Sequence, residues 1–305
     1  MIDHSKSKYT TLNFKSISDF TNALGVAKPK HPLVSVFKNN NISPETIVKK
    51  LNAHFYMISF KTNLKGKMRY GQGFYDFEEG GMIFVAPNQV LSIAEDTDVC
   101  EGISLIFHSD FIRNYPLVKN ISRYGFFSYN VNEALHLSES EKEKIIQIFE
   151  SISQELNTSI DEISQDLVIS YIEVLLNYCN RFYKRQFITR KSVNTDLLSA
   201  MEDYLEKYFG QLAINKGLPT VKEVAQYLNV SSSYLSDMLR ATTGQNAQQH
   251  IHSKLIDKAK DYLSNQEMSV AEIAYQLGFE QPQSFHKLFK KKTDFTPLEY
   301  RQSLN

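Results

Sequence analysis

The chain has 305 residues, 42% of them hydrophobic and 22% charged, which is long enough for roughly two domains with buried cores and too apolar for a disordered tail. Its 34 Lys+Arg balance 34 Asp+Glu, a net charge of +0, so any case for nucleic acid, an anionic membrane or an acidic partner must rest on local residues. Two cysteines, Cys100 and Cys179, are too few for a disulfide framework, the polar N-terminus lacks the apolar stretch of a signal peptide, and no apolar run approaches the roughly 20 residues of a membrane span; a soluble cytoplasmic protein is expected.

Short apolar or alternating runs at 33–37, 54–60, 82–85 and 102–107, separated by Asn, Gly and Pro, predict strands. Residues 1–135 therefore read as a β domain. No Pro lies between Pro116 and Pro219 and no Gly between Gly125 and Gly210, so helices are expected there. Ser138 and Glu141 have the spacing of a capping box, in which each residue satisfies an orphan helix N–H, and Ile145, Phe149, Ile152 and Leu156 follow at helical spacing. A second helix over about 161–187 carries two apolar stripes, Ile163, Leu167, Tyr171, Val174, Tyr178 and Val168, Ile172, Leu175, Cys179, Phe182. So wide an apolar face needs two neighbours. Either the β domain and a second subunit cover it, making 136–189 a dimerisation region with Leu175 in the interface, or the helix is buried within its own domain. Residues 190–196, RKSVNTD, are polar and aperiodic and read as a linker.

Two segments of the last third repeat at an offset of about 50 residues. Each opens with a capping box, Thr220 to Glu223 and Ser269 to Glu272. Apolar residues then match: Val224, Ala225 and Leu228 in one copy, Ile273, Ala274 and Leu277 in the other. A turn follows, Asn229-Val230-Ser231 or Gly278-Phe279-Glu280, where Gly permits the left-handed backbone of a tight bend. The next helix buries Leu235, Met238 and Leu239, or Phe285, Leu288 and Phe289. Its other face is polar at i, i+3, i+4 and i+7: Ser233, Ser236, Asp237 and Arg240, then Gln283, His286, Lys287 and Lys290. A polar stripe on a short helix held by a partner is the geometry of a helix-turn-helix whose second helix enters the DNA major groove. An amphipathic helix over 251–263 lies between the copies, a spacer suited to placing both reading helices on one DNA face about one helical turn apart. Residues 191–305 carry 13 Lys+Arg and 13 Asp+Glu. Positive charge gathers from Lys287 onward, in Lys287, Lys290, Lys291, Lys292 and Arg301, so the second copy is expected to attract phosphate more strongly. Lys222, Lys254 and Lys258 are further candidates for phosphate contact.

The segments IAYQLGF (273–279), SFHKLFKKKTDFTPLEYR (284–301) and YLSDMLRATTG (234–244) resemble the C-terminal signature of the AraC/XylS family of bacterial transcription regulators, over about the last 110 residues. The resemblance implies a seven-helix DNA-binding domain over 197–305 with two helix-turn-helix units. The β-then-helix order of 1–189 is similar to the arabinose-regulator type. It implies an α+β multidomain chain with a cupin-like effector domain over 1–135 and dimerising helices over 136–189, ahead of the 190–196 linker and the all-α domain. Carried over by motif, Gln283, His286 and Lys287 match base- and phosphate-contacting positions of the second reading helix, and Ser233, Ser236 and Asp237 those of the first. Many members have Arg where Asp237 stands. Asp can accept from cytosine N4, bond to Arg240 or cap a neighbour. Asp294 replaces the usual Gly before Thr-Pro, and Asp tolerates a left-handed backbone, so the turn is expected to survive. The implied partners are double-stranded promoter DNA, a second copy of the chain, a small-molecule effector and, for an activator, RNA polymerase.

A cupin-like barrel invites a metalloenzyme, but its two-His-plus-Glu cluster is missing. KGKMRYGQGFYDFEEGG holds no His, and His54 and His108 stand singly in apolar runs, as packed core residues do. His250 and His252, two apart, lie on different sides of a helix. Neither a glycine-rich phosphate loop nor a Gly-x-Ser-x-Gly elbow occurs. No catalytic constellation, metal site or cofactor is expected. Tyr56, Arg69, Tyr70 and Tyr75 are candidates to line a small-molecule cavity. The rivals to an effector-responsive regulator are a cupin-type enzyme acting on a metabolite and a regulator whose first domain serves only protein interaction and dimerisation.

Overall fold

The computed structural model describes residues 11–42, 50–62, 68–70, 73–75, 80–92, 101–130, 133–158, 162–265 and 267–304. The chain divides into two compact units, Met1–Gln186 and Phe187–Asn305.

The first unit is built on strands β1 (Leu12–Phe14), β2 (Val34–Lys38), β3 (Lys50–Ala53), β4 (Phe55–Thr62), β5 (Met68–Tyr70), β6 (Gly73–Tyr75), β7 (Gly81–Val85), β8 (Val90–Ser92), β9 (Glu101–His108) and β10 (Leu135–His136). An antiparallel sheet runs β10-β7-β4-β9-β2, a second runs β1-β3-β8, and β5 pairs with β6. Met57 stands opposite Ile106 and Val85, and Ile58 opposite Leu105 and Phe84. Side chains alternate along a strand, so the larger sheet has two apolar faces. One packs Met57, Ile83, Val85 and Ile106 against Phe14, Leu51 and Leu91 of the smaller sheet and against Ile17 and Phe20 of helix α1 (Ile17–Ala23). The other presents Ile58, Phe60, Phe84 and Phe107, all buried. Burial on both faces explains why the central strands are continuous apolar runs rather than alternating ones.

Helical segments cover the second face. After α2 (Leu117–Asn120) and short 3-10 turns come α3 (Glu139–Asn157) and α4 (Glu162–Thr189). The Phe84 ring lies 4.3 Å from that of Phe126 and 6.1 Å from that of Tyr183 on α4. Each such buried aromatic contributes about 1.5–3 kcal/mol. The end of α4 is tied to β10: Gln186 donates to Ala134 O and accepts from His136 N, and Arg185 donates both to His136 O and to the Glu141 carboxylate. At the start of α3, Ser138 N donates to Glu141 at 2.9 Å, as the capping spacing predicts.

Two expectations are corrected here. Of the two stripes on α4, the one containing Val168, Ile172, Leu175 and Cys179 is in the core at 0–1% exposure, while Ile163 (69%), Leu167 (43%) and Val174 (41%) face outward. Leu175 is a core residue: its stripe is the one that its own unit covers, and the other is left outward. The 190–196 segment is not an extended linker. Helix α5 (Lys191–Lys207) begins at once, leaving Arg190 alone between helices. Asn194 of this segment serves the corner: its side chain donates to Phe187 O in the last turn of α4 and so satisfies a carbonyl left open there.

The second unit is entirely helical among its described residues. A π-helical turn (Tyr208–Leu212) follows α5, then α6 (Ala213–Lys216), α7 (Val221–Tyr227), α8 (Ser232–Thr243), α9 (Ala247–Ser264), α10 (Val270–Gln276), α11 (Pro282–Thr293) and α12 (Pro297–Ser303). No described helix is long and apolar enough to cross a membrane. Helix α9 runs through the middle, burying Ala247, Ile251, Leu255, Ile256, Ala259 and Leu263 and contacting α5, α7, α8, α10 and α12.

The turn between α10 and α11 presses on the loop after α6. Gly278 has φ +90, and a Cβ there would sit 2.7 Å from Gly217 C and 2.9 Å from Ala213 O; Gly217 has φ +80. A side chain at 278 therefore meets strained backbone and a clash with main chain that cannot swing away. Gly278→Ala is expected to destabilise the helical unit by about 2 kcal/mol or more. Gly210→Ala, where a Cβ meets nothing within 4 Å, is expected to be neutral or stabilising. Urea unfolding followed by circular dichroism compares the two, and equal stability of both variants would contradict the contact.

Candidate nucleic-acid interface

The α7/α8 and α10/α11 pairs share one construction. Thr220 accepts from Glu223 N and Ser269 from Glu272 N, both at 3.2 Å, while the glutamates accept from Thr220 N (2.8 Å) and Ser269 N (2.7 Å). The first helices bury Val224 with Ala225, and Ile273 with Ala274. Each ends in a left-handed residue, Asn229 (φ 56) or Gly278 (φ 90). The next residue then donates back to the buried alanine, Val230 N to Ala225 O and Phe279 N to Ala274 O, both at 3.0 Å. Asn supplies in the first copy the conformation that Gly supplies in the second. The second helices end alike, at Gly244 (φ 77) and at Asp294 (φ 65), so the turn expected to survive at Asp294 does so.

Helix α8 is aimed by the Ser231 hydroxyl, which accepts from Tyr234 N at 3.1 Å, and it buries Tyr234, Leu235, Met238 and Leu239. Its polar stripe holds Ser233, Ser236 and Asp237, half-buried, and Arg240, exposed. Arg240 donates to Asp237 at 2.9 Å, so among the roles open to Asp237 the structure shows the bond to Arg240. The two charges of this stripe offset one another.

Helix α11 starts on Pro282, whose fixed φ suits a first helical position. Phe285 and Phe289 are fully buried, against Phe279 and Tyr300, while Leu288, expected in the core, is only half-buried. Gln283, Lys287 and Lys290 are exposed and His286 is half-buried. Neither Lys287 nor Lys290 forms an ion pair among the described residues. The α11 stripe is thus net positive where the α8 stripe is balanced.

Several cations are committed elsewhere. Lys254 and Lys258 both reach the Glu206 carboxylate on α5, Lys254 at 2.7 Å, and these bonds hold Glu206 below the ordinary carboxylate range. They pin α9 to α5 and are not spare phosphate ligands. Arg301 donates to Leu263 O (3.3 Å) and Met268 O (2.8 Å), closing the loop between α9 and α10. Only Lys287, Lys290, Lys291 and Lys292 of the expected basic group remain outward. Lys222 is also exposed.

His250 and His252 form no joint site. His250 meets Thr243 at 2.8 Å and His252 meets Gln248 at 2.9 Å. Burial lowers both imidazoles, and Lys292 and Lys291 lower His252 further. His108 is a cap rather than a core residue, its Nδ1 accepting from Asp110 N. Among the described residues no three of His, Cys, Asp and Glu come together to hold a metal. Cys179 is buried, which pushes its thiol up, out of reach of thiolate chemistry at neutral pH. Tyr56 stacks on Phe107 at 5.1 Å, on the helix-covered face of the sheet. Cys100 and the side chains of Arg69, Tyr70 and Tyr75 lie outside the described residues.

A family model described as a helix-turn-helix domain matches residues 224–303. This helical unit is a helix-turn-helix domain of the AraC/XylS family. Its relatives include the uncharacterized HTH-type transcriptional regulator YijO of Escherichia coli (strain K12), 28% identical over 42% of this chain and 43% of that protein. An uncharacterized HTH-type transcriptional regulator of Staphylococcus aureus (strain MSSA476) is 28% identical over 45% of this chain and 17% of that protein. The chain therefore spans less than half the length of either relative. Among solved structures, the C-terminal domain of the two-component response regulator yesN from Fusobacterium nucleatum is 31% identical, covering 32% of this chain and 95% of that one, with a TM-score of 0.29.

Glu223, Glu272 and Glu299 of the AraC/XylS-type domain are each held below their ordinary value, first by the backbone N–H of their capping partner and then by its hydroxyl. A carboxylate depressed on folding adds stability that is complete above the ordinary value of 4.5 and is lost as pH falls through the folded value. The melting temperature of the helical unit is expected to drop on acidification below that range, and to drop less in a Glu223→Gln/Glu272→Gln/Glu299→Gln variant. Parallel pH profiles of the two proteins in thermal melts would remove the caps from this role.

Proposed function

We propose that the chain is a sequence-specific, DNA-binding transcription regulator that reads double-stranded DNA through two helix-turn-helix units, with α8 and α11 as the reading helices. The observation that carries this is the repeated construction of the two pairs around α9, each leaving a polar stripe on its second helix. In the α11 stripe Gln283 offers the amide that pairs with adenine N6 and N7, and Lys287 and Lys290 offer charge to guanine or phosphate. His286 lies between them. The α8 stripe, through Ser233, Ser236 and the Asp237–Arg240 pair, contributes hydroxyl and acceptor contacts with little net attraction for phosphate.

In this reading the first unit is a cupin-like regulatory domain that binds a small-molecule effector, and the protein is a cytoplasmic bacterial homodimer meeting RNA polymerase if it activates. The outward stripe of α4 at Ile163, Leu167 and Val174 is the surface a second copy covers. An effector shifts the protein between states only by binding one of them better.

Gln283→Ala is expected to weaken binding to the best natural fragment by roughly 5- to 100-fold and to relax preference at one base pair, while Lys287→Ala weakens all sequences alike and lowers the salt slope by about 1. Fluorescence anisotropy across a salt series measures both, and unchanged affinity in both variants would remove α11 from the DNA. Leu167→Glu/Val174→Glu is expected to yield a folded monomer in sedimentation. A persistent dimer would clear α4 of the interface. Leu175→Arg, by contrast, is expected to unfold the first unit, since it places a charge in the core.

A further inference from the structure

The space between the two sheets of the first unit is filled by Phe14, Phe20, Phe55, Met57, Ile83 and Ile106 among others, all buried. Outside that core lies a cavity of about 360 Å³, between the edge strand β2 and the C-terminal half of α3. Its volume is within the range of small-molecule sites, roughly 300–1,000 Å³. The apolar part of its wall comes from Val34, Val36, Phe37, Ile103 and Leu156.

Its polar groups are mostly hydrogen-bond donors. Lys28, Lys30 and Lys38 line it, with Glu150 as the one carboxylate among the described lining residues. His31 accepts from Leu33 N through Nδ1 at 3.1 Å, which places its proton on Nε2 as a donor. Burial favours the neutral form of this imidazole. The strand edge adds to the set. His108 N donates to Leu33 O at 2.8 Å, which fixes the phase of the β2–β9 ladder. Ser35 and Phe37 then exchange bonds with β9, and Val34 and Val36 turn their backbone groups the other way. Val34 is bridged to His31, which leaves the Val36 N–H and C=O on an edge with no strand beyond it among the described residues. Ser153 adds a hydroxyl from α3.

A lysine on an edge strand commonly serves to deter strand pairing, and Lys38 is the one lysine of the three on β2. Lys28, Lys30 and Lys38 are exposed, and together they line a concavity with an apolar wall beside a helix, which deterring strand pairing does not require. We infer that this groove binds a small organic anion, a carboxylate or phosphate ester on an apolar body, with the anionic head at the lysines and the body against Val36, Phe37 and Leu156. The inference deepens the effector-responsive reading and rests on it only for the regulatory consequence.

The test uses the full chain with benzoate, cyclohexanecarboxylate and phenyl phosphate as probes, and benzamide and benzyl alcohol as uncharged counterparts. Ligand-observed NMR and thermal melting report binding. At least one anion is expected to bind about tenfold or more tighter than the uncharged probes and to raise the melting temperature by about 2–4 °C near saturation. Lys30→Glu/Lys38→Glu is expected to weaken that anion at least about tenfold, and Ser153→Trp, which fills the groove, to abolish it while both variants stay folded. Three results overturn the inference: equal binding of charged and uncharged probes, anion binding unchanged in both variants, or no binding up to about 10 mM. The DNA affinity of Gln283→Ala is read separately, so failure of the DNA-reading proposal and failure of this one are distinguishable.

Discussion

The helical unit depends on a place where two backbones touch. Gly278 lies so close to Gly217 and Ala213 that a methyl group has no room. The turn leading into α11 is thereby fixed to the segment leading into α7, and neither helix pair is a free module on the end of α9. Helix α9 supplies the rest, with the Glu206 carboxylate on α5 drawing in Lys254 and Lys258 from its outer side. A single conformational requirement, left-handed backbone at 278 beside a second left-handed glycine at 217, sets the placement of one polar stripe relative to the other.

That arrangement gives the two second helices different electrostatic characters on the same scaffold. Helix α8 spends its one arginine on Asp237, whereas α11 leaves Lys287 and Lys290 without ion pairs among the described residues and ends in Lys291 and Lys292. The helix with spare charge suits long-range attraction and anchoring, and the balanced one suits discrimination at short range. The near-zero net charge of the chain conceals this asymmetry, because it is local.

Much of the second unit was legible in the sequence, because its determinants are short-range. Capping boxes at Thr220, Ser269 and Ser138, the left-handed turn residues and the i, i+3, i+4, i+7 stripes all act within one or two helical turns, and each was found in place. Determinants that act across the chain were not legible. Nothing local separates the Leu175 stripe of α4 from the Val174 stripe; the difference is which one the rest of the first unit covers. Lys254 and Lys258 look like solvated or phosphate-binding lysines until Glu206, about fifty residues earlier in the sequence, is brought beside them. Arg301 looks like part of a basic cluster until its guanidinium is seen closing on Leu263 O and Met268 O. The polar stretch 190–196 misleads for a related reason: the first turn of helix α5 exposes its apolar residue, Val193, and buries a polar one, Asn194, which aperiodic composition does not reveal.

The central claim is that two reading helices, held in fixed relation by α9 and the Gly278–Gly217 contact, engage one duplex together. Sequencing of genomic fragments captured by the purified full chain, followed by a salt titration on the best fragment, tests it most directly. The account predicts a recurrent pair of short motifs about one helical turn, roughly 10 base pairs, apart, bound more weakly as salt rises. Enrichment of a single short motif with no spaced companion, or no enrichment with or without added cell metabolites, would contradict it.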